Sequence, residues 1–268
     1  MSKREVEEKT PAKELEELIA RQQEEIQRSK RITVLMIIGA AIVAFILLCL
    51  TTPLGSYIVS RWRTHHTEQK IDVRQEEIPA FDGVPYVQVN GNVPYFTDAD
   101  LTTTPFENYS ELDKLGRCGV AYANICRQLM PLEDREDITS VYPTGWKNEK
   151  YSFVDQEYIY NRCHLIAFQL AGENANAENL ITGTRYMNVE GMLPFEDEVA
   201  NYVYKTSNHV LYRVTPVFVG KNLVASGVEI EAMSVEDKGK GVCFNVFVYN
   251  VQPGIVIDYR SGDNWEAD

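Results

Sequence analysis

Tyr160-Asn161-Arg162-Cys163-His164-Leu165-Ile166, then Asn179-Leu180-Ile181-Thr182-Gly183-Thr184-Arg185-Tyr186-Met187-Asn188, then Pro194-Phe195-Glu196 form the stretch on which the reading of the chain turns. The first run has strand character. Side chains alternate across a strand, so Arg162 and His164 fall on one face. A cation that grips phosphate and an imidazole that activates water then point the same way. The second run sets Asn179 and Asn188 nine positions apart, just ahead of a helix. Asparagine is poor inside helices and serves as a cap or as a neutral oxygen ligand, and both readings stand here. The helix is marked by Phe195, Val199, Tyr202 and Val203 at i, i+4, i+7 and i+8, with Pro194 and the acids Glu196, Asp197 and Glu198 in its first turn.

Further along, His209 to Val219 and Leu223 to Ala232, joined at Gly220-Lys221-Asn222, read as a hairpin, and Val242 to Val251 as a third β-branched, aromatic strand. Upstream, Tyr86-Val87-Gln88-Val89 and Val93-Pro94-Tyr95-Phe96 flank Asn90-Gly91, the signal of a tight β-hairpin. Pro105 to Leu115 reads as loop plus a short helix, and an extended pattern resumes over Gly116 to Tyr122. These elements predict one α+β domain with an antiparallel sheet over residues 79–268.

Ile32 to Leu50 holds nineteen residues without a charge, the length that crosses a bilayer as a helix. A core helix of that length would carry a polar face, and a signal peptide would not follow some thirty polar residues. Arg28, Lys30 and Arg31 abut one end, which puts the N-terminus in the cytoplasm and the rest outside the cell. The expected order is a cytoplasmic segment over 1–31, a transmembrane helix over 32–50, an extracytoplasmic stalk over 51–78 and the catalytic domain. Residues 1–31 carry equal numbers of acids and bases, so the formal charge of −13 belongs to the remainder. That balance disfavours tight, non-catalytic nucleic-acid binding through a broad basic face. Cys118, Cys126, Cys163 and Cys243 leave both disulfides, in three pairings, and free thiols open, and no Cys/His spacing suits structural zinc. Of the four histidines, His65 and His66 sit in the stalk and His209 opens a strand where a histidine caps or packs, which leaves His164 for chemistry.

Asn161-Arg162-Cys163-His164 followed by Asn179 and Asn188 resembles the Asp-Arg-Gly-His motif and downstream asparagines of the DNA/RNA non-specific endonucleases, in the form found in membrane-anchored and surface nucleases of Gram-positive bacteria. The likeness extends from about Pro79 to Trp265, including Leu115 to Ala121, Asn208 to Pro216 and Tyr249 to Gly254. It implies a ββα-metal active site and sequence-independent hydrolysis of DNA, RNA or both. His164 would be the general base, Asn188 the ligand of one Mg²⁺, with Mn²⁺ as a substitute, and Asn179 would orient the site. Glu196 would position metal-bound water, Arg162 would hold a phosphate oxygen, and Arg117 would be a further phosphate contact. Two positions depart from the motif: Asn161 removes a carboxylate that could orient ligands, and Cys163 removes the backbone freedom of glycine. They support the alternative of a catalytically weak relative that binds or positions nucleic acid at the cell surface.

Overall fold

The computed structural model describes residues 78–267. The expected cytoplasmic segment, the apolar span Ile32 to Leu50 and nearly all of the stalk lie outside the described residues. Among the described residues no helix is long and apolar enough to cross a membrane.

Ten strands and two α-helices make up the described part. Six strands form one antiparallel sheet: β1 (Tyr86–Gln88), β2 (Phe106–Tyr109), β3 (Ala121–Ile125), β6 (Val210–Val217), β7 (Gly227–Ser234) and β8 (Cys243–Tyr249), in the spatial order β1-β8-β7-β6-β3-β2. Alternation fixes its faces. Val210, Tyr212 and Val214 of β6, Val228, Ile230 and Ala232 of β7, and Phe244, Val246 and Val248 of β8 are buried in the main core. Arg213, Glu229, Glu231 and Asn245 point the other way, the last three fully buried and Arg213 partly so, beneath the segment that follows β1.

Two further strands, β4 (Tyr160–His164) and β5 (Leu180–Thr184), pair antiparallel as a separate ladder, with the one-turn helix α1 (Phe168–Ala171) between them. A π-helical turn, Met187–Met192, follows β5 and runs directly into α2 (Leu193–Thr206). This is a β–β–α unit in sequence order, and Val199, Ala200 and Val203 of α2 join the main core. A short C-terminal hairpin pairs β9 (Ile255–Ile257) with β10 (Asn264–Glu266).

Two local expectations are corrected. Val93 to Phe96 is not a strand: Asn90, Gly91 and Asn92 all take positive φ in a single 3₁₀ turn, and β1 pairs with β8 instead of with its neighbour in sequence. The segment instead lies over the sheet, where the Tyr95 amide donates to Glu231 and Phe96 stacks on Tyr122. Those side-chain partners replace the ladder bonds a hairpin would have supplied. Residues 106–109 form β2, not a helix, because Phe106 and Asn108 register against Asn124 and Tyr122 of β3. The hairpin expected from His209 onward is present as β6 and β7, and α2 lies where its periodicity placed it.

Candidate active site

His164 ends β4, and its side-chain partners come from two loops, one carrying Arg135 and one carrying Asn174. The imidazole is nearly buried, at 6% exposure. Gly172, in the left-handed region, ends α1 and turns the chain so that the Asn174 carbonyl lies 3.1 Å from His164 Nε2. A carbonyl can only accept, so Nε2 carries the proton and Nδ1 keeps its lone pair. Arg135 Nη2 approaches that lone pair at 3.3 Å. Burial first, and the Arg135 charge after it, depress the His164 pKa to about 4, against the opposing pull of the Asn174 carbonyl. The ring is therefore neutral at physiological pH with one basic nitrogen facing an arginine.

Asn174 is a joint. Its side-chain oxygen accepts from the Glu136 amide at 2.9 Å, which holds the loop carrying Arg135 against the same turn that fixes His164. Asn179 is fully buried and spends its amide on the backbone just past the histidine: Oδ1 accepts from Ile166 N at 2.8 Å and Nδ2 donates to Ile166 O at 3.0 Å. It sets the exit of β4 and points at no open space. Asn188 sits in the π-helical turn, which Thr184 stabilises by accepting from the Met187 amide. Such turns recur at functional sites. The Cys163 thiol lies 2.8 Å from Asn188 Oδ1, so the adjacent positions 163 and 164 serve opposite faces of β4.

Glu196 is buried in the first turn of α2, and among the described residues nothing donates a hydrogen bond to it. Desolvation and, next, the neighbouring Asp197 push its carboxyl up to about 8, against the pull of Arg135. Beside it the hydroxyl of Tyr212, from the core face of β6, is buried without a partner and lies within the field of Glu196. A lone buried hydroxyl is costly unless something polar completes it. The Asn188 amide oxygen accepts from the Cys163 thiol, which itself lies within the field of Glu196. Asn188, Glu196 and Tyr212 thus offer hard oxygen atoms, the donor type that suits a small divalent cation with its waters.

The structure thus brings His164, Asn179, Asn188 and Glu196 into one β–β–α unit. Arg162 stands on the His164 face of β4 but is partly committed: Nε donates to Val141 O at 2.5 Å and Nη2 to Thr139 O at 3.0 Å, with the guanidinium over Tyr142 and Trp146. Arg117 is tied to Asp113 and to the Gly220 and Asn222 carbonyls, and none of these partners belongs to the His164 group. His209 pairs with Glu236 at 2.6 Å and takes no part. The four described cysteines are free thiols. Sequence reading missed Arg135, Asn174 and Tyr212. The one available signal was that Arg135 is the only cation among the acids Glu133, Asp134, Glu136 and Asp137.

Comparison with solved structures finds the same fold in NucA from Streptococcus agalactiae with magnesium bound, at 24% identity, a TM-score of 0.61, and coverage of 69% of this chain and 91% of that one. The metal-free form of the same protein also gives a TM-score of 0.61, over 74% of this chain and 99% of that one. The Sda1 nuclease with bound zinc matches at 24% identity and a TM-score of 0.56, over 68% and 97%. The family model of the DNA/RNA non-specific endonucleases matches residues 99–236, more than half of the 268, and spans β2 through β7 with the whole β–β–α unit. The chain belongs to the DNA/RNA non-specific endonuclease family and is a DNA/RNA endonuclease.

Proposed function

We propose that the chain cuts phosphodiester bonds of DNA, RNA or both without sequence preference, with His164 as general base and one Mg²⁺-type ion held at Asn188. The observation that carries this is the neutral, tautomer-fixed imidazole with an arginine at its free nitrogen. In the reaction a water takes the place of Arg135 at Nδ1 and gives up its proton there as it attacks phosphorus. Arg135 then faces the phosphate oxygens, and Arg162 offers Nη1, the one guanidinium nitrogen not committed to a carbonyl. Asn188 Oδ1 and Glu196 would hold the ion with its waters. Once bound, the ion supplies charge stabilisation to the phosphorane and the departing 3′ oxygen. Asn179 keeps His164 in register throughout. Contacts of this kind read phosphate and not base, hence the expected lack of sequence preference.

The alternative of a weak, nucleic-acid-positioning relative has one observation in its favour, the Cys163 thiol on the oxygen that would bind the ion. Location is part of the proposal: the Ile32 to Leu50 run anchors the chain in the cell membrane, with residues 1–31 cytoplasmic, 51–78 a stalk, and the nuclease domain, residues 79–268, outside. Protease added to intact cells or spheroplasts should then digest the domain, and complete protection would reverse the orientation.

The deciding assay offers supercoiled plasmid and total RNA to the purified full-length chain across Mg²⁺ and Mn²⁺ titrations, with a chelator control. Metal-dependent nicking at scattered positions is expected. A folded chain that cuts neither substrate at any concentration of either ion leaves the positioning alternative in its place.

A further inference from the structure

Tyr142 is a large aromatic residue held in the open. Its side chain is 72% exposed. A lone exposed tyrosine needs no explanation, but the chain leading into this one is fastened. Two carbonyls just ahead of it in the loop, Thr139 O and Val141 O, are pinned by Arg162. The same guanidinium lies 5.1 Å from the Tyr142 ring and 4.4 Å from Trp146. Trp146 in turn packs at 6.4 Å from Tyr160. Arg162 therefore fixes the outer loop and presents an aromatic face to solvent.

The placement is specific. Tyr160, Arg162 and His164 alternate onto one face of β4, and two residues along a strand span roughly 6.6 Å. That is close to the separation of neighbouring phosphates in an extended nucleic-acid strand. With a scissile phosphate at His164, the next nucleotide comes to Arg162, and its base, if unstacked, comes to Tyr142. Every base has a π-face, so such a platform binds single strands without reading sequence, and the adjacent cation strengthens the stack. Bases inside a duplex are stacked on each other and cannot use it.

We propose that Tyr142 is the stacking surface of a substrate subsite next to the catalytic histidine, and that it makes unpaired DNA or RNA the preferred substrate class. The inference rests on the nuclease reading of His164, and the test separates the two. Binding of fluorescein-labelled oligothymidine and of a labelled duplex of the same length is measured by anisotropy, with the full-length His164→Ala chain so that no cleavage intervenes. Tyr142→Ala in that background should weaken oligothymidine binding by about tenfold, the scale of one base–aromatic stack, and duplex binding by less than about twofold. Tyr142→Phe should bind like the parent. Equal losses on both ligands, no loss, or a Tyr142→Phe variant as weak as Tyr142→Ala would overturn the subsite. Cleavage assays on the His164-containing chain complete the separation. If that chain cuts nothing while oligothymidine binding still depends on Tyr142, the nuclease reading fails and the subsite stands. If it cuts single strands and duplex in the same ratio with and without Tyr142, the subsite fails and the nuclease reading stands.

Discussion

Tyr212 and Arg213 are neighbours in β6, and their side chains enter two buried polar groups that lie back to back across the sheet. On the Tyr212 side is Glu196, which lies within the fields of Arg135, the partner of His164, and of the Cys163 thiol, the partner of Asn188. The Arg213 side contains Glu229, Glu231 and Asn245, covered by the segment that follows β1. Each sets an arginine beside an acid displaced far from its ordinary range: Glu196 is pushed up to about 8, and Glu229, by burial and then by the charge of Glu231, to about 7. A displaced carboxyl alone would nominate both as sites. They differ in company. Glu196 shares its surroundings with a base, an amide oxygen and an unpartnered hydroxyl. Glu231 spends one oxygen on Arg213 Nε at 2.6 Å and the other on the Tyr95 amide at 2.7 Å, and Phe96 covers the guanidinium. The second group fastens a segment of chain through Glu231; the first brings Glu196 near the residues that carry the family motif.

The largest effect that separates them is on rate. His164→Ala removes the proposed base and should lower plasmid and RNA cleavage by about 10²- to 10⁴-fold while thermal unfolding stays within about a degree or two of the parent. A comparable loss from substitution at Glu231, after correction for the folded fraction, would erase the distinction.

Stability should show the opposite pattern. Glu231→Ala removes the carboxylate partner of the largely enclosed Arg213 guanidinium and the acceptor of the Tyr95 amide, which costs on the order of 3–5 kcal/mol of folding free energy. Activity per folded molecule should persist. Urea unfolding followed by tyrosine and tryptophan fluorescence measures the loss, and a cost below about 1 kcal/mol would mean that water already serves these groups.

pH sharpens the comparison further. Both oxygens of Glu229 are buried without a hydrogen-bond partner, so the folded state holds its proton more tightly than the unfolded chain does. Its contribution to stability is therefore complete below the ordinary pKa of 4.5, declines as pH rises towards about 7, and is lost above that. The full span corresponds to roughly 3 kcal/mol. Glu229→Gln fixes the uncharged form. It should leave stability unchanged near pH 4 and raise it near pH 8, as read from unfolding midpoints at the two values; equal effects at both would exclude titration of Glu229.

Periodicity made β6, β7, β8 and α2 legible, because each carries a regular apolar face that meets one core. Residues 93–96 were not, since their bonds go to Glu231 and their ring to Tyr122, partners far away in the chain that no local pattern announces. The site divides in the same way. His164, Asn179, Asn188 and Glu196 lie within 33 positions of one another and carry a recognisable spacing. Arg135 reaches His164 only because Asn174 clamps its loop, and Tyr212 reaches Glu196 only because β6 lies under α2. Both are products of tertiary packing.

The smallest effect concerns Cys163, where glycine is usual in the family. The expected loss of backbone freedom does not arise: β4 is regular through position 163, and no positive φ occurs there. Space comes from Gly183 instead, since a Cβ there would lie 2.7 Å from Cys163 Cβ and 2.8 Å from its sulfur. Full burial pushes the thiol pKa up, so it remains S–H and donates to Asn188 Oδ1. A donor on the oxygen proposed as the ion's ligand orients it, and the oxygen retains a second lone pair for an ion. Cys163→Ser keeps a donor and should hold the half-saturating Mg²⁺ concentration within about twofold, whereas Cys163→Ala should raise it by about tenfold, with the rate at saturating Mg²⁺ little changed. A tighter Mg²⁺ response in Cys163→Ala would show that the thiol competes with the ion for Asn188, which would favour the weakly catalytic reading. Equal losses in both variants would assign Cys163 to packing alone, because only the donor distinguishes serine from alanine at this position.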